Sequence, residues 1–265
     1  DNHYYDLQCE STDDNETRVL YDSTFYATLP DPYALDNMQS VYDEILGTDS
    51  VTLSPTHLYV RFKPRNNEDL MYLINRDDLI LSPIPLDADI DEEEYLEAIN
   101  ATSEFCPLYT TVNSNFSFPS KIKHEIIREC YIPSDRESIS TTRGDVIDIE
   151  SAAYLKLGYE IDIELNSESS NHPTGNFKVS EVYPNLTNDI PLNGVQIICH
   201  RFTKISRAYT DKYGNYTIND SFVNDPYYKI VFRNRLGFTI WGNWGFMFPA
   251  QQSLGKQSKS GFSKI

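Results

Sequence analysis

Across residues 191–234 one pattern recurs three times: PLNGVQIICHRF, then SRAYTDKYGNYTI, then YYKIVFRN. In the first run Val195, Ile197 and Cys199 share a face, with Gln196 and His200 opposite; in the last, Tyr228, Ile230 and Phe232 oppose Lys229, Val231 and Arg233. Successive strand residues point to opposite sides, so this alternation predicts antiparallel strands with one face on a core. The middle turn, Thr210-Asp211-Lys212-Tyr213-Gly214-Asn215, is led by Asp211 and carries Gly214. A short loop commonly needs a left-handed residue at that place, and a hairpin is expected there. A β-rich module of this kind holds, spaces or binds.

The stretch resembles the carboxypeptidase-regulatory-like, or transthyretin-like, repeat. Pro191, Leu192, Gly194, Val195, Thr210, Asp211, Gly214, Tyr216, Ile218, Tyr228, Ile230 and Phe232 stand at the positions of that pattern. The resemblance covers about a quarter of the chain. It implies a small Greek-key-like β-sandwich of secreted bacterial proteins, without catalytic residues of its own, and it implies nothing about ligand.

The remainder reads as an α+β domain. Asp31-Pro32 predicts a helix start, an Asp cap followed by proline at the first helical position. Ala34, Met38, Val41 and Ile45 form one stripe, and Gly47 ends it. A strand is expected over 57–62, and a helix capped by Asn66 with Asp69 three residues on and Leu70, Leu73 and Ile74 inward. A proline-interrupted strand follows over 79–86. Strand, helix and strand within about 30 residues suggest a βαβ-like or split-βαβ unit. Further on come a strand near 108–112 and two helices, near 120–129 and 145–157.

The resulting domain organisation is a polar arm (1–26), an α+β domain (27–163), a Ser/Asn/Pro/Gly-rich linker (164–175), the sandwich (176–249) and a polar tail (250–265). The tail, QQSLGKQSKSGFSKI, has lysines and no carboxylate side chain. It reads as a frayed end or as a chain cut before its next domain. The pieces DPYALDNMQSVYDEIL, LSPTHLYVRFKP, DLILSPIPLD and IIRECYIP resemble the front portion of secreted bacterial proteins in which a regulatory-like sandwich precedes a zinc-metallopeptidase-like domain bearing His-Glu-x-x-His. By that resemblance the chain is the non-catalytic part of such a protein, and a downstream domain of the same polypeptide is a candidate partner.

Net charge narrows the partners. At −18 the chain repels phosphate backbones and anionic membrane surfaces, which argues against nucleic acid. An apolar fraction of 40% belongs to a folded protein, and 19 Tyr and 13 Phe suit β-rich secreted proteins. No run of about 18 apolar residues is present, so no transmembrane segment is expected. Asp1 opens a polar stretch, so export to the cell surface, periplasm or exterior would mean a removed leader, with a lipid anchor as one form.

Catalytic constellations fail on inspection. His124-Glu125-Ile126-Ile127-Arg128 begins like a zincin helix, but the second imidazole that must share the helix face is Arg128. His124 is therefore expected to face solvent on a helix, with Ile126 and Ile127 inward. His3, His57, His124, His172 and His200 have no metal-ligand spacing, and His57 is expected to be a hydrogen-bonded turn residue. No nucleophile elbow or phosphate-cradling glycine loop occurs. No catalytic residue is assigned, and no cofactor is expected.

Two weaker sites stand beside that reading. Asp87, Asp89 and Asp91 open a run like an EF-hand loop, yet Glu92 replaces its glycine and Ala98 its final glutamate. A looser Ca²⁺ site is the alternative to a plain acidic loop. Trp241, Trp244 and Phe246 concentrate aromatics beside glycine, as a glycan- or peptide-binding platform would, or as packing against a neighbouring domain. None of Cys9, Cys106, Cys130 and Cys199 forms a CxxC pair. Cys199 is expected to be a buried small hydrophobe, and a Cys106–Cys130 bridge is an alternative in an oxidising compartment.

The best-supported function is a non-catalytic interaction, adhesion or spacer module of an exported bacterial protein, contacting protein or glycan at the cell surface. The alternatives are the pro- or accessory region of a zinc metallopeptidase lying downstream, and a carbohydrate-binding module using the tryptophans.

Overall fold

The computed structural model describes residues 27–47, 51–89, 95, 107–135, 137–140, 146–161, 172–179, 189–232 and 251–259. Among them the chain is mostly β, with three helices and antiparallel strands in several sheets. The first sheet has the order β4-β2-β5, formed by β2 (His57–Lys63), β4 (Leu108–Asn113) and β5 (Lys123–Cys130). On β2 the alternation splits the sheet's faces. Leu58, Val60 and Phe62 meet Leu70, Leu73 and Ile74 of helix α2 (Asn67–Ile74), while Tyr59 turns to Tyr109, Leu86 and Cys130. Asn66 caps α2, its Oδ1 accepting the Asp69 N–H at 2.9 Å.

Helix α1 (Leu35–Leu46) begins four residues after Asp31, with Ala34 at the cap position. Asp31 instead accepts the Tyr33 N–H at 2.9 Å and is fully buried, so the expected Asp cap is corrected. Gly47 closes α1 at φ +58°, a backbone state open to glycine at little cost. Helix α3 (Ile149–Lys156) packs against α1 through Met38, Val41, Tyr42, Ile149, Ala153 and Tyr154. It is shorter than the helix expected from residue 145: β7 (Val146–Asp148) precedes it and pairs with β6 (Ser138–Ser140). Asp148 then caps the helix on the Ser151 N–H.

The helix expected near 120–129 is strand β5. Consecutive β-branched isoleucines lose rotamer freedom in a helix and suit an extended chain. Ile126 and Ile127 are exposed rather than inward, 48% and 37%, and the register slips between Tyr59 and Val60 beside them. His124 stacks on Phe118 at 4.2 Å.

The second sheet has the order β12-β11-β14-β15: β11 (Gln196–Arg201), β12 (Lys204–Tyr209), β14 (Tyr227–Val231) and β15 (Gln251–Lys256). Residues expected as a polar tail thus supply its edge strand. One face packs Val195, Ile197, Cys199, Tyr228 and Ile230 on Phe177, Tyr216, Ile218 and Phe222. The last four surround the pair of β8 (Thr174–Asn176) and β13 (Asn215–Thr217). The opposite face is not solvated as the alternation suggested. Gln196, Ile198, Lys229 and Val231 are buried too, and Ile205 of β12 packs against Tyr59, Tyr109 and Cys130 of the first sheet. Tertiary packing has covered a face whose polar residues read as solvent-facing.

The chain joins these strands differently from the expected hairpin. β12 pairs with β11 across the two-residue turn Phe202–Thr203, where Phe202 adopts φ +50°. The turn at 210–215 instead carries the chain to another sheet, since β13 pairs with β8. Asp211 Oδ1 accepts the N–H groups of Tyr213 and Asn215, both at 2.8 Å. Gly214 has φ +81°, and a Cβ there would lie 2.3 Å from the Phe177 carbonyl oxygen.

Short pairs complete the topology: β1 (Ala27–Thr28) with β3 (Ala88–Asp89), and β9 (Lys178–Val179) with β10 (Ile190–Pro191). No helix among the described residues is long and apolar enough to cross a membrane.

Candidate functional site: a cleft beside a buried charged junction

The tip of the β11–β12 hairpin inserts among residues of the first half of the chain. Phe202 packs edge-on to Tyr154 at 5.7 Å and tilted on Tyr159 at 5.1 Å. An aromatic residue at positive φ costs on the order of 1–3 kcal/mol, and this packing holds it there. The Thr203 hydroxyl donates to Asp31 Oδ2 at 2.7 Å. Lys204, only 3% exposed, donates to Glu150 Oε2 at 2.9 Å and lies over the rings of Tyr33 and Phe222. The Tyr33 hydroxyl donates to the other Glu150 oxygen. Burial and the Glu150 charge push the Tyr33 phenol well up, so it stays a donor.

A second charged group lies beside the first. Arg128 of β5 reaches Asp31 at 3.2 Å and Asp87 at 3.1 Å. Burial raises the Asp31 carboxyl to about 6 despite the opposing pull of Thr203, the Tyr33 N–H and Arg128. Cys130, beneath them, is a free buried thiol raised to about 12, mainly by burial; Cys106, its expected bridging partner, lies outside the described residues. Buried charges are tolerated only when paired and hydrogen-bonded. These are.

Next to the hairpin a cleft of about 570 Å³ opens, within the range of ligand pockets. Its walls come from three places: the end of the first sheet, the segment after Cys130, and the second half of the chain through Lys204, Ile205 and Asp220. On one wall Glu137 is saturated. It accepts from the hydroxyls of Tyr131 (2.6 Å) and Tyr42, and from the Ser134 N–H and hydroxyl (3.0 Å each). Burial would raise this carboxyl, but the two phenols and Ser134 outweigh it and hold it below the usual range. Asp78 is engaged by Arg76.

His57 is different. Thr56 Oγ1 accepts the Ile132 N–H at 2.9 Å, and its hydroxyl hydrogen is directed at the Cys130 carbonyl. That assigns the His57 Nδ1–H as donor to Thr56 Oγ1 at 2.9 Å and leaves Nε2 with a lone pair. Burial lowers the His57 pKa, Asp220 opposes and Lys204 adds to it, so the ring is neutral at pH 7. Asp220 is exposed, and no hydrogen-bond donor reaches it among the described residues. The Thr111 hydroxyl on the same cleft is buried and unpaired. The arrangement can hold a ligand by its hydrogen-bond donors. Among the described residues no nucleophile stands hydrogen-bonded to His57 Nε2, and the other carboxylates on these walls are already claimed.

The residues singled out from the sequence fall elsewhere. Asp87 is buried, accepting from Tyr59 at 3.1 Å and pairing with Arg128, which removes it from any open calcium loop. Asp89 lies in β3 and pairs with Ala27; Asp91 lies outside the described residues. Among the described residues no three His, Cys, Asp or Glu side chains converge as a metal site. Trp241, Trp244 and Phe246 lie outside the described residues. Asp211 and Gly214 build the turn described above, away from the cleft walls.

Lys204, Glu137 and Asp220 were missed. For Lys204 a signal existed: it shares the strand phase of Ser206 and Ala208, which oppose core residues Cys199 and Ile197. A lysine on an inward phase announces a buried partner. For Asp220, in a bend among other polar residues, no such signal exists. No family model matches the chain, and no curated protein or solved structure matches it.

Proposed function

We propose that the chain is a non-catalytic interaction module of an exported bacterial protein, an α+β unit and a transthyretin-like β-sandwich joined through the β11–β12 hairpin. The observation that carries this reading is the division of polar groups at the hairpin. Behind Lys204 every charged group is spent on another charged group of the chain. In front of it a cleft keeps open acceptors and, among the described residues, no assembled acid, base and nucleophile. Binding needs only such complementary groups, whereas turnover needs a positioned reacting pair.

Supporting the sandwich is the turn at Gly214. It passes the chain between two sheets that enclose one apolar cluster, as strands do in two-layer β folds. The test is a screen of the immobilised chain against peptide and glycan panels, with hydrolysis of each panel followed in parallel. Retention of a panel member without turnover is expected. Hydrolysis lost in His57→Gln would overturn the reading.

A further inference from the structure

We propose that the cleft at the hairpin is a binding site for a cationic nitrogen on a short aliphatic stem, an ammonium or guanidinium seated between Asp220 and His57 Nε2. This rests on the reading of the chain as a binding module, and it names the ligand class. The argument is one of hydrogen-bond inventory. His57 Nε2 carries a lone pair because Nδ1 is tied to Thr56 Oγ1, and the Asp220 carboxylate can only accept. A ligand satisfying both must bring donors. Acidic or acceptor-rich ligands leave both unmet and face like charge besides.

Charge points the same way. Among the described wall residues the one cation, Lys204, has its ammonium directed at Glu150 behind the cleft. The carboxylate of Glu137 is held ionised by its four donors. The cleft thus carries net negative charge within a chain of −18, and concave low-dielectric walls focus such a field onto an incoming cation. Ile132 and Ile205 on the walls give the aliphatic stem an apolar surface. A free small amine and the side chain of a lysine or arginine share this chemistry.

Isothermal titration of the full chain at low salt distinguishes these sources. The probes are cadaverine, agmatine, and end-blocked Gly-Lys-Gly and Gly-Arg-Gly peptides. End-blocked Gly-Glu-Gly and N-acetylglucosamine serve as contrast. Binding of a cationic probe is expected, weakened about fivefold by Asp220→Asn and kept by Asp220→Glu. Asp36→Asn, which removes the same charge from the exposed face of α1, should leave it unchanged.

Affinity should fall as salt rises, and as pH falls through the lowered His57 range, where a charged imidazole repels the ligand. Preference for the free amines would identify a small metabolite, and preference for the peptides a basic partner segment; either supports the proposal. No cationic binding, or cationic binding indifferent to Asp220→Asn, overturns it. If the neutral or acidic probe binds instead and loses affinity in His57→Gln, the ligand class is wrong while the module reading stands. Turnover of any probe would instead sink the module reading.

Discussion

The two sides of the β11–β12 hairpin use the same kinds of side chain to opposite ends. On the buried side, Lys204 and Arg128 are matched by Glu150, Asp31 and Asp87, with Thr203 and Tyr33 filling the remaining hydrogen bonds. On the open side, His57 Nε2 and the Asp220 carboxylate face a cleft with no hydrogen-bond partner among the described residues. Polar groups whose partners lie within the chain hold its parts in place. Polar groups left unmet beside a cavity are available to another molecule. The difference is one of desolvation: an unpaired buried charge costs several kcal/mol, whereas an unpaired group at a wet cleft costs little until a ligand covers it.

The largest effect should come from breaking one half of the buried pair. Lys204→Met removes the cation that pairs with buried Glu150, leaving only the Tyr33 hydroxyl on it, and should lower unfolding free energy by about 3–5 kcal/mol in denaturant titration. Adding Glu150→Leu should recover most of that loss. If the single variant is as stable as the parent, the junction does not bear on stability and the comparison fails.

Next is Gly214→Val, at the turn between the second sheet and β13. Positive φ and the approach of the Phe177 carbonyl act together, and about 3 kcal/mol is expected. A parental melting temperature would mean the turn relaxes freely.

Titration tests the junction without touching its shape. Asp31 has a folded pKa of about 6, above its ordinary value of 3.8, so the folded state holds the extra proton. Its contribution is fully present below about pH 4 and is lost as pH rises through 6, at most about 3 kcal/mol. Glu137 and Asp135 lie below their ordinary range and act oppositely, losing stability as pH falls below 4. Asp31 should therefore raise stability on acidification from pH 7 to 5, opposed by His57, whose lowered pKa removes stability as its ring protonates. In Asp31→Asn that rise should flatten. An unchanged slope would place the titrating group elsewhere; Arg128, Asp87, Thr203, Tyr33 and Cys130 are the groups that surround Asp31.

The smallest effect is expected at the cleft. Asp220→Asn should change stability by less than about 0.5 kcal/mol, because no bond within the described chain is lost. A large loss there would make the cleft part of the junction rather than its contrast.

Much of the local structure was legible. Asn66 reads as a cap, Gly47 as a helix end, and the Leu58/Val60/Phe62 and Ile197/Cys199 alternations as core faces, because each depends on residues within a few positions. The helix expected over 120–129 failed because a spacing compatible with one helical face also fits an edge strand pairing with β2. Phe202 at positive φ could not be anticipated, since its packing on Tyr154 and Tyr159 joins residues over 40 positions apart. The cleft was illegible for the same reason: His57, Glu137 and Asp220 belong to three distant segments.

The amino-acid order by itself determined local features such as the Asn66 cap, the Gly47 helix end and the apolar faces of β2 and β11, since side-chain period and backbone preference act over a few residues. The pairing of strands, the covering of the second sheet's other face, and the sorting of charged groups into bonded and unbonded sets were decided only in three dimensions. Whether a carboxylate is neutralised or left open depends on what lies within a few ångströms of it, and that distance has no counterpart along the chain.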